Sequence, residues 1–185
     1  KAKKAIGRAD VLGLVLDARE FPTRQDIAIA HLAYESGKPL FLALNKCDLI
    51  PQGVGRQTLK DIVYRRMPFV SYAPLLFVSA LTGKGVAKIL SLAEEVYLRS
   101  SSKIETPRLN DFLARINATQ PPVTKTKRRL KVKYMTQKSV RPPTFILFAH
   151  NPAPFLPAYE KFFLEELRKK FGLWGTPLRL HIRGS

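Results

Sequence analysis

The sequence has little cysteine, few acidic side chains and no long apolar run. Its one cysteine, Cys47, excludes an internal disulfide framework and is typical of a protein kept in a reducing compartment. No apolar run approaches the roughly 20 residues of a membrane-spanning helix. Arg8 and Asp10 interrupt the region where a secretory signal would have its apolar core. These absences predict a cytoplasmic protein with no membrane partner.

Acidic residues are scarce relative to basic ones. The chain holds 32 Lys and Arg against 14 Asp and Glu, a net charge of +18. Such an excess favours polyanionic partners, nucleic acid above all, although an inert basic surface is the alternative. The charge rises from +6 over residues 1–100 to +12 over residues 101–185. The change follows the serine-rich stretch at 100–102, so we expect two domains, residues 1–100 and 103–185.

The first half alternates buried strands with helices. Continuous apolar runs predict strands, helical spacing predicts the segments between them, and the resulting βαβαβα order is typical of a parallel sheet with crossover helices. The expected strands are Val11–Leu16, Leu40–Leu44 and Pro74–Val78, and the expected helices are Thr23–Ser36, Leu59–Met67 and Val86–Leu98. The fold class is therefore α/β for this domain.

The second half predicts a small α+β domain of order αββαβ. Its expected elements are a helix from Thr106, strands Arg129–Met135 and Thr144–Ala149, a helix Tyr159–Phe171 and a strand through Leu178, Leu180 and Ile182. Alternation in the first strand directs Leu130, Val132 and Tyr134 towards the core. Phe145 is likewise expected in the core, and neither aromatic ring is expected to serve as a base-stacking platform. The Pro- and Thr-rich segment 120–127 predicts a mobile loop.

The most informative motif follows the second strand. Asn45, Lys46 and Asp48 resemble the N-K-x-D motif with which GTPases read their base, and they stand where parallel sheets bind ligands. A carboxylate at Asp48 can accept from guanine N1–H and the N2 amino group together, a pattern that adenine does not offer. The Lys46 stem can cover the purine face. Asn45 can bind neighbouring backbone or the base.

A second motif follows the third strand. Ser79, Ala80 and Leu81 resemble the S-A-[KL] loop of GTPases, in which a backbone N–H, here that of Ala80, faces guanine O6. Alone, this triplet is an ordinary turn with a serine cap. Because it follows N-K-x-D in the right order on the next strand, both motifs can face one base.

The elements that hold a triphosphate are absent from the sequence. No G-x-x-x-x-G-K-[ST] loop occurs, and no D-x-x-G follows a strand to hold Mg²⁺. We therefore expect the chain to begin after the second switch of a P-loop-type GTPase domain. The chain alone is expected to be inactive and to bind no cofactor. The sequence predicts no catalytic residue and no metal site.

The resemblance covers nearly the whole chain and points to the Der (EngA) family. It is carried by residues 5–11, 16–18, 25–26, 45–49 and 72–81, and more specifically by residues 129–137, 142–145, 159–162 and 171–177. The resemblance implies two tandem G domains followed by a KH-like domain, GTP or GDP with Mg²⁺ in the complete protein, and action in large ribosomal subunit assembly in the bacterial cytoplasm or the plastid stroma. The partners it implies are ribosomal RNA, the large subunit and the N-terminal domains of the same protein.

The KH signature loop is missing, so RNA contact is expected from another surface. Gly172 and Gly175 have G-x-x-G spacing, but they stand between a helix and the last strand, which indicates a helix cap and turn. The predicted RNA-binding residues lie in a stretch without an acid: Lys125, Lys127, Arg128, Arg129, Lys131, Lys133, Lys138 and Arg141. A solvated face, or a surface that docks on other domains, is the alternative interpretation of this stretch.

Three classes of function remain at this point. The first is part of a Der-type GTPase, and the second is a non-catalytic RNA- or ribosome-binding module with a degenerate G fold. The third, an enzyme unrelated to GTP, has no catalytic constellation in the sequence to support it.

Overall fold

The computed structural model describes residues 2–20, 22–126 and 128–184. Contacts between Cα atoms divide them into two compact units. The first contains the residues up to Arg99 together with Trp174–Pro177, and the second contains Ser100–Leu173 and the residues from Leu178 onward. Within the described residues, no helix is both long enough and apolar enough to cross a bilayer.

The first unit is built on a three-stranded parallel sheet of order β1-β2-β3, as the apolar runs predicted. Its elements are α1 (Ala2–Arg8), β1 (Leu12–Asp17), α2 (Arg24–Glu35), β2 (Leu40–Asn45), α3 (Arg56–Arg66), β3 (Leu75–Phe77) and α4 (Lys88–Ser100). The central strand β2 is buried from Leu40 to Leu44. Because the three strands are parallel, their carboxyl ends lie at the same edge of the sheet.

Helix α2 begins where its sequence signals place it. Thr23 caps the helix by accepting from the Asp26 N–H at 3.1 Å, and the Asp26 carboxylate accepts from the Thr23 N–H at 2.8 Å. This reciprocal capping box satisfies two backbone donors that a helix start leaves open. The chain leaves the helix through Gly37, whose φ of 74° suits a residue without a Cβ.

The second unit has the predicted αββαβ order. Its elements are α5 (Thr106–Thr119), β4 (Val132–Val140), β5 (Pro143–Ala149), α6 (Pro157–Phe171) and β6 (Arg179–Gly184). Strand β5 lies at the centre, antiparallel to β4 and parallel to β6. One core joins Phe112 of α5 and Phe163 of α6 to Phe145 of β5. The mixed α/β fold class expected from the sequence is confirmed for both units.

The expectation that Tyr134 lies in the core was wrong. The register of β4 against β5 shifts between Val132 and Tyr134, so Lys133 is an extra residue in the strand. A bulge of this kind breaks the two-residue alternation. Val132 and Met135 are buried, whereas Lys133 is exposed and 43% of Tyr134 is exposed. Met135 therefore fills the core position that alternation assigned to Tyr134.

The segment expected to form a mobile loop is instead paired with its surroundings. Val123 forms an antiparallel bridge with Arg129, and Thr124 forms one with Phe155. The Thr124 hydroxyl is buried and donates to the Arg128 carbonyl at 3.1 Å. Lys127 lies outside the described residues. The backbone on either side of it is thus tied to the second unit.

Four residues of the expected second domain lie in the first unit. The Gly175 N–H donates to the Tyr72 carbonyl at 2.8 Å, and the Gly175 carbonyl accepts from the Leu40 N–H at 2.7 Å. The Trp174 ring lies 4.2 Å from the Arg99 guanidinium. Residues 174–177 therefore continue the hydrogen bonding of the first unit at the start of β2.

Candidate functional site

The residues of both sequence motifs line one cavity in the first unit. Asn45 ends β2, in register with Asp17 at the end of β1, and Ser79 follows β3 by two residues. The cavity has a volume of about 500 Å³. It is lined by Arg19, Asn45, Lys46, Asp48, Leu49, Ser79, Ala80 and Leu81. The structure thus brings together all six residues that the sequence assigned to a base-reading site.

The two motif loops are bound to each other by hydrogen bonds. The Asn45 side-chain oxygen accepts from the Ala80 N–H at 3.0 Å, and the Cys47 N–H donates to the Val78 carbonyl at 3.0 Å. Of the two roles open to Asn45, the structure shows the one in which it binds neighbouring backbone. The Ala80 N–H that was expected to face a base oxygen donates to Asn45 here, so a ligand oxygen would share or displace that bond.

Ser79 anchors the second motif loop, which contains Ala80 and Leu81, through hydrogen bonds. This serine is buried, its N–H donates to the Lys84 carbonyl at 2.9 Å, and its hydroxyl accepts from the Thr82 N–H at 3.2 Å. Gly85 passes so close to the strand that a Cβ there would lie 2.4 Å from the Phe77 carbonyl oxygen. The backbone that presents Ala80 and Leu81 is therefore fixed before any ligand arrives.

Lys46 adopts a backbone conformation that is rare for a residue with a side chain. Its φ of 63° lies in the left-handed region, which costs a non-glycine residue about 1 kcal/mol or more. The Lys46 Nζ lies 2.5 Å from Oδ2 of Asp17. The strained turn and the ion pair together set the direction of this lysine along the cavity.

Arg19 lines the cavity and Asp17 pairs with Lys46, although the sequence interpretation gave neither residue a role. The hydrogen bond from Lys46 holds the pKa of Asp17 below its ordinary value, and the Arg19 N–H, which donates at 2.9 Å, acts in the same direction. Asp17 is thus a carboxylate that stays ionised at the edge of the sheet. One signal was available, because Asp17 directly follows the apolar run of β1 as Asn45 follows that of β2.

The mouth of the cavity combines a carboxylate with apolar walls. Asp48 lies in a short 3-10 turn, Cys47–Leu49, and is exposed. Leu49 is exposed on the same turn, and 87% of Leu81 is exposed on the other loop. Exposed leucines beside a carboxylate suit a flat ring that has polar donors along one edge.

The basic stretch of the second unit divides between two places. Each of its seven described members is exposed. Arg128, Arg129 and Lys131 line a cavity of about 520 Å³ together with Thr124, Thr126, Leu130, His150, Asn151 and Ala153. Lys138 follows Lys131 by seven residues, near the other end of β4 and roughly 20 Å away. The seven described residues therefore do not form one cluster, and Lys127 lies outside the described part of the chain.

Arg141 is engaged within the second unit. Its Nε donates to the Ser101 hydroxyl at 2.9 Å, and one terminal nitrogen also contacts that oxygen.

The glycines with G-x-x-G spacing do not form a clamp between helices. Gly172 ends α6 with a φ of 66°, as the sequence predicted.

Comparisons with known proteins agree on both units. Residues 2–99 match the model of the elongation factor Tu GTP-binding domain, and residues 103–183 match the KH-domain-like model of EngA bacterial GTPase enzymes, C-terminal. Proteins named GTPase Der from Acetivibrio thermocellus and Halothermothrix orenii are 42% and 38% identical to this chain, over 97% of its length in each case. The Fusobacterium nucleatum subsp. nucleatum protein of that name is 38% identical over 100% of the chain.

The chain spans about two-fifths of the length of these relatives, 41% for the first two and 42% for the third. A crystal structure of Era in complex with MgGDPNP and nucleotides 1506–1542 of 16S ribosomal RNA is 14% identical, with a TM-score of 0.45, over 98% of this chain and 67% of that one. The GTP-binding model, the KH-like model and the relatives named GTPase Der together identify the family. The chain belongs to the Der/EngA family of GTP-binding proteins, and it carries part of a GTP-binding domain followed by that family's C-terminal KH-like domain.

Proposed function

We propose that the first unit reads the guanine base of GTP and GDP. The observation that carries this proposal is the shared cavity of the two motif loops at the carboxyl ends of β2 and β3. Asp48 accepts from N1–H and the N2 amino group, and the stem of Lys46 covers one face of the ring. Guanine O6 takes a share of the Ala80 N–H that now binds Asn45. Leu81 shields the base from water.

Base selectivity follows from the arrangement of donors and acceptors. On guanine, the carboxylate meets two hydrogen-bond donors. At the same edge of adenine it meets an acceptor, N1, and a C–H group, so neither hydrogen bond forms. A site built to pair with particular polar groups rejects a ligand that leaves them unpaired, because the unpaired groups lose their hydrogen bonds to water without replacement. The exposed Leu49 and Leu81 add apolar area without changing this selectivity.

The second unit contacts ribosomal RNA, and the whole protein acts in large ribosomal subunit biogenesis in the cytoplasm or the plastid stroma. Support comes from the net charge of +12 over residues 101–185 and from the exposure of the described basic residues between 125 and 141. Phosphate contacts by such side chains are strong and carry little sequence information. Selection of the RNA then depends on its shape and on the other domains of the longer protein.

GTP hydrolysis belongs to the longer protein, with Mg²⁺ and a phosphate-binding loop that this sequence does not contain. We expect the chain by itself to release no phosphate from GTP above background. The alternative is a non-catalytic RNA-binding module in which the cavity no longer selects guanine. Base selectivity of the isolated chain separates the two, because it does not require the phosphate-binding elements.

Base selectivity can be measured with nucleoside monophosphates by backbone amide NMR. GMP should shift the amides of Asn45, Lys46, Asp48 and residues 79–81, IMP should do so less because it lacks the N2 amino group, and AMP should not. Asp48→Asn should remove the response to GMP and create one to XMP, since the new amide donates where the carboxylate accepted. Asp61→Asn, an exposed carboxylate on α3, is the matched control. Equal responses to GMP and AMP would favour the non-catalytic alternative.

RNA binding can be tested by a salt titration of the chain against ribosomal RNA fragments. Arg128→Ala with Arg129→Ala should reduce the slope of log affinity against log salt by about 1.4–1.8, since each phosphate contact contributes roughly 0.7–0.9. Lys161→Ala with Lys170→Ala removes the same charge from exposed positions on α6 and is the control. Equal slopes for the two double variants would mean that the basic stretch has no special role in RNA binding.

A further inference from the structure

The bulge in β4 exposes Tyr134 beside the half-buried Phe148, on the face of the sheet opposite the helices. Tyr134 and Phe148 are directly opposite in the β4–β5 register, with ring centroids 5.9 Å apart and planes at 44°. Phe148 pairs in turn with Arg183 of β6. Arg183 is exposed, and its neighbour Ile182 packs on the core, so the arginine lies on the same outer face as the two rings.

The cationic cavity of the second unit borders this pair. Lys131 precedes Tyr134 by three residues on one side of the bulge, and His150 follows Phe148 by two residues, directly after the end of β5. By backbone spacing, the cavity therefore begins within about 10 Å of the residues that carry the rings. Its wall is fixed, because the buried Thr124 hydroxyl accepts from the Arg128 N–H at 3.2 Å as well as donating to the Arg128 carbonyl.

We infer that this surface binds single-stranded RNA: a base stacks on Tyr134 and Phe148, and a neighbouring phosphate enters the cavity of Arg128, Arg129 and Lys131. The inference deepens the proposed RNA-binding function and rests on it. Stacking needs an unpaired base, because paired bases in a duplex offer their faces only to each other. The cations beside the rings supply the phosphate contact that stacking alone lacks, and Arg183 extends the positive rim on the other side.

Charge distinguishes RNA from a protein partner on this surface. No acidic residue occurs between Lys125 and Arg141, and the described lining of the cavity contains no carboxylate. An interface with another protein is typically depleted in lysine at its centre. Here Lys131 and Lys133 flank the exposed ring, so a polyanion with a flat aromatic group is the chemistry that fits both features.

The test compares RNA affinities of the whole chain for a short oligoadenylate and for a duplex of equal length. Tyr134→Ala should weaken oligoadenylate binding by on the order of 5- to 150-fold, the range that alanine substitution gives for one stacked base. Duplex binding and the salt slope should stay unchanged, because no cation is removed. Tyr134→Phe keeps the ring and should bind as the wild type does. The exposed position of Tyr134 predicts that both variants fold.

The spectroscopic readout is the upfield ring-current shift of adenine protons on binding. It should appear with the wild type and with Tyr134→Phe but not with Tyr134→Ala. Equal losses for both RNAs would mean that Tyr134 only supports the structure, and unchanged oligoadenylate affinity would mean that the pair does not stack. If Tyr134→Ala lost binding to anionic vesicles while its RNA affinity stayed unchanged, the surface would be a membrane-binding surface instead. If the wild type binds neither RNA, the proposed RNA function itself fails.

Discussion

Gly175 offers a direct test of how residues 174–177 complete the first unit. Its φ of 76° is left-handed, and a Cβ at this position would lie 2.7 Å from both methyl carbons of the buried Val96. Gly175→Ala therefore incurs two costs. The left-handed backbone costs a residue with a Cβ about 1–2 kcal/mol, and the added methyl overpacks the core by about 1–3 kcal/mol. We expect the free energy of unfolding to fall by about 2–5 kcal/mol.

A double-mutant cycle separates the two costs. Val96→Ala alone removes two buried methyl groups and should cost about 2 kcal/mol. In the double variant the methyl added at position 175 enters the space that the Val96 side chain vacates, so the overpacking cost disappears while the backbone cost remains. The double variant should thus be more stable than the sum of the single effects implies, by about 1–3 kcal/mol.

Trp174 provides the assay, since it is the one tryptophan of the chain and stacks on Arg99 next to the substituted position. Denaturant titrations that follow its fluorescence would report the first unit directly. Single effects that add within error would show that Gly175 and Val96 do not contact each other. A Gly175→Ala variant as stable as the wild type would refute the argument altogether.

Three further predictions concern single side chains. Lys46→Gly should be about 1 kcal/mol more stable to denaturant than Lys46→Ala, because both variants lose the ion pair but only glycine relieves the left-handed backbone. Equal stabilities of the two variants would show that the backbone at this position is not strained. The pKa of Asp17 is lowered from its ordinary value of 3.8, so the ionised carboxylate stabilises the fold above that pH, and this stabilisation is lost as pH falls through the folded pKa. Asp17→Asn should therefore make stability less dependent on pH below about pH 4. Acid-unfolding curves that run parallel for variant and wild type would contradict this. Tyr64→Phe should cost about 1 kcal/mol, since the Tyr64 hydroxyl donates to the Ala73 carbonyl at 2.6 Å. Burial raises the pKa of Tyr64 to about 12, so its contribution persists below pH 10 and disappears as pH rises through 12, which phenolate absorbance would follow.

Local signals were sufficient for the elements and the motif loops. The apolar run Leu40–Leu44 is a strand buried on both faces, and such a strand has no polar positions to obscure it. Thr23 and Asp26 form the capping box that their three-residue spacing indicates. The base-reading residues came from a motif and the edge rule for parallel sheets, and the structure places them around one cavity, although what binds there stays a prediction.

What the sequence did not reveal depends on geometry beyond a few residues. The bulge at Lys133 adds one residue to a period of two, and nothing in the Lys-Val-Lys-Tyr run marks where the addition falls. The Asp17–Lys46 pair joins the last residue of β1 to the residue that follows β2, so it exists only once the two strands have paired. The role of Trp174–Pro177 in the first unit is also a long-range property, because those residues follow α6 of the second unit in the chain.

The hydrogen bonds of Gly175 also bear on the order in which the protein is made. The Leu40 amide starts the central strand of the first unit, yet its partner is a carbonyl about 135 residues later in the chain. At the usual rate of synthesis, on the order of ten seconds separate the appearance of the two groups. During that interval the whole of α5, β4, β5 and α6 is synthesised. The first unit therefore leaves the ribosome early but gains these two hydrogen bonds only when the second is nearly finished. A nascent chain halted at residue 100 would hold all three strands of the first sheet but lack the bonds from Gly175 to Leu40 and Tyr72.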